Sequence, residues 1–459
     1  MARGKKNEKI LTPEEKLKEV LVPNSEWPYK VPENWRWVRL RSIASHISDG
    51  SHNPPKDSGK GVPLLSATNI HDRVIDFDQT SRWVTEAEWM AENERTRIEL
   101  GDILLTIVAT IGRVAVVTTD QPFALQRSVA TIKPKIDEQY LSYYLESPYI
   151  QMFMNTNAKG TAQKGFYLKS LENLLCAVPP LPEQQRIVDR IESLFAKLDE
   201  AKEKAQAVVD GFEDRKAAIL HKAFTGELTE EWRKENNVGK DTWKTVSIES
   251  VCDVFSGKGF KEKEYSTHGV KLLRISNVTY DSLIWDDTKY LPNNYIITEA
   301  DLVLKLGDIV MALNRPITNN KLKVSLVDDG TYILYQRVGC LRIKRAEELI
   351  PQYLQYCLLS KKFLHQVESH LQGSDQPYIN LPPLKKLTIE LCSTEEQMAI
   401  IKVINSIIRN ETRAKESAEQ VIAQIDIIKK SILARAFRGK LGTNDPSDES
   451  AEELLKQII

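Results

Sequence analysis

The side chains equipped for chemistry in this sequence are amides and cations rather than nucleophiles or acid–base pairs. Ser147–Leu171 carries Lys159, Lys164 and Lys169 and no acid, around the loop Gly160-Thr161-Ala162-Gln163-Lys164-Gly165. Met311–Val327 carries Arg315, Lys321 and Lys323 with Asn314, Asn319 and Asn320, again without an acid. The acids of the first globular stretch, before Pro182, gather instead in Asp72–Asp102. Such segregation suits a face that meets a polyanion. Lys and Arg neutralise phosphates, while Arg, Asn and Gln pair with base edges. Ordinary solvated loops have the same composition, so the pattern alone leaves both readings open.

Signs of catalysis are missing. There is no G-x-x-x-x-G-K-[S/T] loop, no H-E-x-x-H and no G-x-S-x-G, and the seven histidines are scattered. Glu-x-Lys triplets such as Glu200-Ala201-Lys202 are what charge-alternating helices contain anyway. Asn53-Pro54-Pro55-Lys56 approaches the Asn/Asp-Pro-Pro-aromatic turn with which amino-methyltransferases hold a flipped base. Lys56 stands where the ring would stack, and no glycine-rich loop for a methyl donor lies nearby. A Pro-rich surface loop fits better.

The 459 residues allow two or three domains, and 41% hydrophobic content allows sizeable cores. Net charge is −1 with 28% charged residues, which advertises no partner unless charge is segregated by face. The five cysteines (Cys176, Cys252, Cys340, Cys357, Cys392) form no C-x-x-C pair, so neither a zinc site nor a disulfide framework is expected. No apolar run reaches membrane-spanning length, and the start lacks the apolar core of a signal peptide. A reduced, cytoplasmic protein is expected.

What positions the loops is a duplicated module. Pro182-Glu183-Gln184-Gln185-Arg186-Ile187-Val188 opens a stretch that closes on Ala223-Phe224-Thr225-Gly226. Glu396-Gln397 and Ala436-Phe437 repeat both ends at one spacing, since 396 − 183 = 213 and 436 − 223 = 213. Apolar residues Ile187, Ile191, Leu194, Leu198, Ala201, Ala205, Val208, Phe212 and Ile219 step by four and three, with Arg215 in the one polar slot. In the second copy the slots are Ile400, Ile404, Ile407, Glu411, Ala414, Ala418, Val421, Ile425, Ile428 and Ile432. A 3.5-residue period predicts two coiled-coil helices, each roughly 60 Å long, that can pair antiparallel. In that pairing Arg215 and Glu411 could meet and fix register. Pro182 suits a first turn, Ser393-x-x-Glu396 a capping box, and Gly226 and Gly439 C-terminal stops.

The preceding segments repeat as well. Trp35-x-x-Val38 matches Trp243-x-x-Val246, and Leu64–Ile70 matches Leu272–Val278, both at 243 − 35 = 208. Gly101-Asp102-Ile103 meets Gly307-Asp308-Ile309, Gln126-Arg127 meets Gln336-Arg337, and Gly160-x-x-Gln163 meets Gly373-x-x-Gln376. Strands are predicted at Val62–Leu65, Ile103–Val108 and Val114–Thr118, and a helix at Tyr140–Tyr149. The expected organisation is a tail and lead-in (1–33), a first globular unit (34–181), a central helix (182–228) and a junction (229–241). A second unit (242–392), a distal helix (393–441) and a C-terminal tail (442–459) follow. Antiparallel helices would carry one globular unit at each end, related by a pseudo-two-fold axis.

This order resembles the specificity (S) subunit of Type I restriction–modification enzymes. The match rests on Pro-Pro-Leu-Pro-Glu-Gln-Gln-Arg-Ile-Val (Pro179–Val188), Ala223–Arg233 and Ala436–Leu441. It rests also on Asp49-Gly50-Ser51-His52-x-x-Pro55, similar to a loop frequent in that family's target recognition domains, and on the lead-in Pro32-Glu33-Asn34-Trp35. The second unit departs from it. Phe255-Ser256-Gly257-Lys258-Gly259-Phe260 stands in place of the Asp-Gly-x-His loop, and Leu391-Cys392-Ser393-Thr394 in place of Pro-Pro-Leu-Pro.

The resemblance implies two α/β target recognition domains separated by two long antiparallel coiled-coil helices. Each domain grips one half of a bipartite, asymmetric double-stranded DNA target. The helices set the spacer and dock two modification (methyltransferase) subunits, and motor/nuclease restriction subunits join. S-adenosylmethionine, ATP and Mg²⁺ belong to those partners, and this chain is non-catalytic. Expected DNA-binding residues are Ser51, His52, Asn53, Lys56, Arg113, Lys159, Gln163 and Lys164 in the first unit. In the second they are Lys258, Lys261, Arg315, Asn319, Lys321, Gln372, Ser374 and Gln376. The competing expectations are a stand-alone DNA adenine methyltransferase and a coiled-coil adaptor that reads no DNA.

Overall fold

The computed structural model describes residues 12–160 and 163–459. The polar tail expected at the start, and Thr161 and Ala162 of the lysine-bearing loop, lie outside the described residues. Two compact units emerge. One comprises the described residues up to Ala205 with Gln420–Ile459, the other Gln206–Glu419. The division falls inside the long helices rather than at their ends, because the ends of both helices are part of the globular cores.

In the first unit an antiparallel sheet takes the order Ala44–Asp49, Val129–Pro134, Ile103–Thr106, Val114–Val116. Its strands alternate between two cores, as a two-residue period requires. Ile103, Leu105, Val114, Ala130 and Ile132 face the larger core, which the helices build. Leu104, Ala115 and Val129 face a smaller one with Leu65, Phe123 and Leu125. Leu65 and Leu125 come from a second sheet, in which Val62–Leu65 runs parallel to Ala124–Leu125 and antiparallel to Trp83–Val84. Arg36–Arg39 pairs with Leu175–Val178 and closes the unit. The expected helix at Tyr140–Tyr149 is two, Glu138–Glu146 and Pro148–Asn157, because Pro148 restarts the helix at its first position.

The second unit repeats this plan. Its main sheet is Cys252–Ser256, Val338–Ile343, Ile309–Ala312, Val324–Leu326, in that order. Val270–Leu273 runs parallel to Tyr332–Leu334, and Lys244–Ser247 pairs with Thr388–Leu391.

The long helices show why the repeated motifs are where they are. Glu183 and Gln184 are fully buried, as are Glu396 and Gln397. Glu183 Oε2 accepts from the Trp35 indole at 2.7 Å and from Asn444 at 2.9 Å. Glu396 accepts from the Trp243 indole at 2.8 Å, from Arg233 at 2.6 Å and from the Thr229 hydroxyl at 2.7 Å. Gln184 accepts from the Asp137 amide at 3.1 Å and donates to the Pro179 carbonyl at 2.9 Å. Gln397 accepts from the Ile350 amide at 2.9 Å and donates to the Glu348 and Cys392 carbonyls. Each Glu-Gln pair therefore rivets a helix start to its own globular unit. The capping box expected at Ser393 is half made: Ser393 caps the Glu396 amide at 3.3 Å, but the Glu396 carboxylate is spent on Arg233 and Trp243. Burial raises the Glu183 carboxyl above its usual range, opposed by the Asn444 and Trp35 hydrogen bonds.

The Ala-Phe ends do the converse. Phe437 meets Tyr140 and Tyr144 edge-on at 5.4 and 5.1 Å in the first unit, and Phe224 meets Tyr353 at 5.6 Å in the second. Each core is closed by the start of one helix and the end of the other.

Pairing within each unit is antiparallel. Asp199 meets Lys429 and Lys202 meets Asp426 in the first, while Arg215 meets Glu411 at 2.6 Å in the second. Three expectations need correction. The central helix is broken at Gly211 into Leu181–Asp210 and Phe212–Phe224, whereas the distal helix is continuous from Thr394 to Ala436. Arg215 explains the break: it donates to the Val208 carbonyl at 2.7 Å, and a Cβ on Gly211 would lie 2.4 Å from its guanidinium. The apolar stripe is not all interface either. Val421 and Ile428 are 42% exposed and Ala201 and Ala414 are exposed, because a heptad names a face without saying how much of it a single partner covers. Finally, junction and tail are structural. Thr229 and Arg233 of the junction are buried on Glu396, and beyond the distal helix Asn444 reaches Glu183 while helix Ala451–Ile458 buries Leu455 in the first core.

All five cysteines are free and buried, with Cys252 and Cys392 pushed up to about 12 by burial. No helix among the described residues is long and apolar enough to cross a membrane.

Arg233→Met would leave Glu396 buried without its cation. Urea unfolding of the full chain should show a loss of about 3–5 kcal/mol. Asn444→Ala, which removes one hydrogen bond from Glu183, should cost only about 1–2 kcal/mol. Equal losses would contradict the role given to Arg233.

Candidate nucleic-acid interface

The register of the main sheet gathers the candidate loops at one end. In the first unit Asp49 lies opposite Ala130, Thr106 opposite Val129, and Leu105 opposite Val114. The loops after Asp49 and Thr106, and those before Val114 and Val129, therefore leave the same end. A fifth segment joins them. Lys159 and Gly165 exchange backbone hydrogen bonds at 2.9 and 2.8 Å, and the Ala109 amide donates to the Lys164 carbonyl at 3.0 Å. Gly50 makes the convergence possible, since a Cβ there would lie 2.2 Å from the Leu125 carbonyl oxygen.

The second unit builds the same end with the same backbone bonds. Ser256 lies opposite Gly339, Ala312 opposite Val338 and Met311 opposite Val324. Gln372 and Tyr378 exchange hydrogen bonds at 2.9 Å, and the Arg315 amide donates to the Pro377 carbonyl at 2.6 Å. Ala109 and Arg315 share a left-handed backbone, with φ of 64° and 46°. Gly257 stands where Gly50 does, 2.2 Å from the Leu334 carbonyl oxygen. The glycine of the Asp-Gly-x-His loop is thus present in both units, and what the second unit lacks is the polar dressing.

One sequence match shifts by a residue. The Gln126 amide donates to Leu65 and the Arg127 amide to Ser51, while the Tyr335 amide donates to Leu273 and the Gln336 amide to Lys258. Gln126 therefore corresponds to Tyr335, Arg127 to Gln336 and Ser128 to Arg337, because 335 − 126 = 209. Backbone ladders pin these loops, and the repeated Gln-Arg letters do not.

The expected residues have varied surroundings. Ser51 is buried and its hydroxyl donates to Glu92 at 3.0 Å, so its side chain faces inward. His52 is half exposed against Asp49 at 2.9 Å, and Asp49 is buried and held by Arg95. Asn53 and Lys56 are exposed, on a loop whose Pro55 carbonyl is held by Arg82 at 2.7 Å. Arg113 is exposed, with one donor on the Ile70 carbonyl at 3.2 Å. Lys159, Gln163 and Lys164 are exposed together on the hairpin tip. In the second unit Lys258 pairs with Glu299 and lies 5.3 Å from the Phe260 ring centre. Lys261 is exposed beside it. Arg315, Ser374 and Gln376 are exposed at the shared end, and Gln372 there accepts from Asn380 at 3.2 Å.

Asn319 and Lys321 fall elsewhere. They belong to a hairpin, Ile317–Thr318 with Lys321–Leu322, that has no counterpart between Thr106 and Val114. Lys321 pairs with Glu213 of the central helix at 2.7 Å and lies 5.4 Å from the Tyr280 ring centre, so this hairpin faces the helix. The hairpin and helix line a cleft of about 810 Å³ with Lys216, Asp281 and His365.

Arg127 and Arg337 were not among the expected residues. Both are exposed at the gathered end, and neither side chain has a partner among the described residues. Their adjacency to Gln126 and Gln336 marked them only as spacing landmarks; the signal available was the glycine that brings each loop beside them.

Ser51→Ala should lower the unfolding free energy by about 1 kcal/mol and leave retention of duplex DNA by the full chain unchanged. Loss of retention would return Ser51 to the interface.

Comparison with known proteins bears on both units. A family model described as Type I restriction modification DNA specificity domain matches residues 32–209 and again 240–423. The Type I restriction enzyme MjaVIII specificity subunit of Methanocaldococcus jannaschii is 31% identical over 428 residues, covering 90% of this chain and 94% of the relative. The EcoBI specificity subunit of Escherichia coli is 32% identical over 212 residues, 45% of this chain and 44% of that one. Among solved structures, the HsdS subunit from Thermoanaerobacter tengcongensis is similar in fold, with a TM-score of 0.57 at 19% identity over 91% of this chain and 100% of the other. A chain from a study of complex assembly and conformational transition of the type I R-M system has a TM-score of 0.64 at 19% identity, over 90% and 100%.

Proposed function

This chain belongs to the Type I restriction modification DNA specificity family, and we propose that it reads a bipartite, asymmetric duplex target through the gathered loop ends of its two units. The observation that carries this reading is a single backbone framework built twice with different exposed side chains. Ala109, Arg127 and Lys159 in the first unit stand where Arg315, Gln336 and Gln372 stand in the second. Equal scaffolds with unequal donors and acceptors are what two different half-sites require.

The chain itself supplies recognition and no catalytic group. Its place is in the cytoplasm with two methyltransferase subunits and the motor/nuclease subunits, which hold S-adenosylmethionine, ATP and Mg²⁺. The exposed apolar residues Val421, Ile427 and Ile428 on the distal helix suit the docking of such subunits. The riveted helix starts suit a spacer of fixed length between half-sites.

Footprinting of the chain assembled with its methyltransferase subunits should protect two short blocks separated by a stretch without base preference. Arg315→Ala should relax discrimination in one block alone, by about 1–3 kcal/mol. Relaxation in both blocks, or in neither, would contradict its role. Equilibrium dialysis of the isolated chain against S-adenosylmethionine should show no binding. Binding there would favour a stand-alone methyltransferase.

A further inference from the structure

Because the chain contains its own comparison, positions that differ between the two units can be separated from positions that do not. Most exposed residues at the gathered end differ. Two polar positions keep their character. Gln163 and Gln376 occupy the same place in the two hairpin tips, and Arg113 and Lys323 occupy the same place before the last strand of each main sheet. The first equivalence is fixed by the paired backbone bonds of Lys159 with Gly165 and of Gln372 with Tyr378. The second is fixed by the Thr106 amide donating to the Arg113 carbonyl at 2.9 Å and the Ala312 amide to the Lys323 carbonyl at 3.1 Å.

The fold leaves most of the donors on these side chains unused. Gly160 and Gly373 have positive φ, 119° and 82°, and their missing Cβ atoms make room for the carbonyl oxygens of Gln163 and Gln376, at 2.3 and 3.2 Å. The turn thus uses the glutamine backbone and leaves both amides exposed and without a partner among the described residues. Lys323 is half-buried, and its ammonium likewise has no partner among the described residues. Arg113 uses one terminal nitrogen on the Ile70 and Ala67 carbonyls, at 3.2 and 3.5 Å, and its other donors have no partner among the described residues.

We propose that these four residues grip the sugar-phosphate backbone of both half-sites, while the differing positions around them read bases. The inference rests on the recognition reading above. Two half-sites of different sequence have the phosphate chain in common, so residues kept alike in both units match the part of the ligand that is alike. The chemistry fits. Arg and Lys neutralise phosphates, and a Gln amide donates to phosphate oxygens as a neutral positioning contact. The same comparison assigns Arg315, Gln336, Arg337 and Gln372 to base reading.

The test uses the full chain assembled with its methyltransferase subunits, and a duplex DNA library randomised across the two protected blocks. Lys323→Ala should weaken binding to every member by a common factor, roughly tenfold, with a log–log salt slope shallower by about one. Lys323→Arg should restore the slope. Gln376→Ala should weaken binding by a common factor and leave the slope unchanged, since it removes no charge. A changed base preference in the second block for either alanine variant would overturn the proposal and leave the recognition reading standing. Unchanged affinity in both variants would overturn it too. If the unsubstituted assembly showed no preference across the library, the recognition reading itself would fail, and this proposal with it.

Discussion

The structure depends on a carboxylate and an amide buried at the start of each long helix. Taking Glu183 and Glu396 out of water is costly unless their oxygens are met. Meeting Glu183 Oε2 and both oxygens of Glu396 draws in the tryptophan just before the first strand of the same unit, and then a residue from chain that follows the other helix: Asn444 for Glu183, Arg233 for Glu396. The neighbouring glutamines bond the backbone just before helices Glu138–Glu146 and Pro351–Leu358, at Asp137 and Ile350. One dipeptide thus fixes where the helix starts, which way it leaves, and which distant segment returns to it. The two rivets are unequal, since Glu396 has a cation and Glu183 only neutral donors.

From that constraint follows a division of labour within each unit. The sheet, the helix starts and the aromatic plugs Phe437 and Phe224 are shared, and they are apolar or hydrogen-bonded into the core, Glu183 through its Oε2. The loops at one end of the sheet are held by backbone bonds and by glycines at the closest approaches, Gly50 and Gly257. Side chains there have few structural duties and are free to differ. A scaffold that specifies loop backbone without specifying loop side chains suits a family whose members are named for their specificity.

Much of this was legible in the sequence, for physical reasons. The duplication showed because buried Glu-Gln, Ala-Phe and Trp positions tolerate little change. The strands at Val62–Leu65 and near Ile103 showed because both faces of those sheets are apolar. What stayed hidden depended on partners distant in sequence. Gly211 breaks the central helix because Arg215 folds back onto Val208 while holding Glu411. The meeting of Arg215 with Glu411 followed from the heptad; the break did not. Junction and tail read as polar linkers because Arg233 and Asn444 are polar, and only their buried carboxylate partners reveal them as core. Ser51 and Lys321 read as free donors, but Glu92 and Glu213 take them up. The Gln-Arg match misled by one residue because loop equivalence is carried by amides and carbonyls, which letters do not record.

The central claim is that one chain carries two separate readers of DNA. Methylome sequencing of cells that express it with the methyltransferase subunit proposed as its partner tests this most directly. The account predicts a single methylated motif made of two defined blocks of different sequence, separated by a gap of constant length and no base preference. One continuous block, two identical blocks, or methylation without a motif would contradict it.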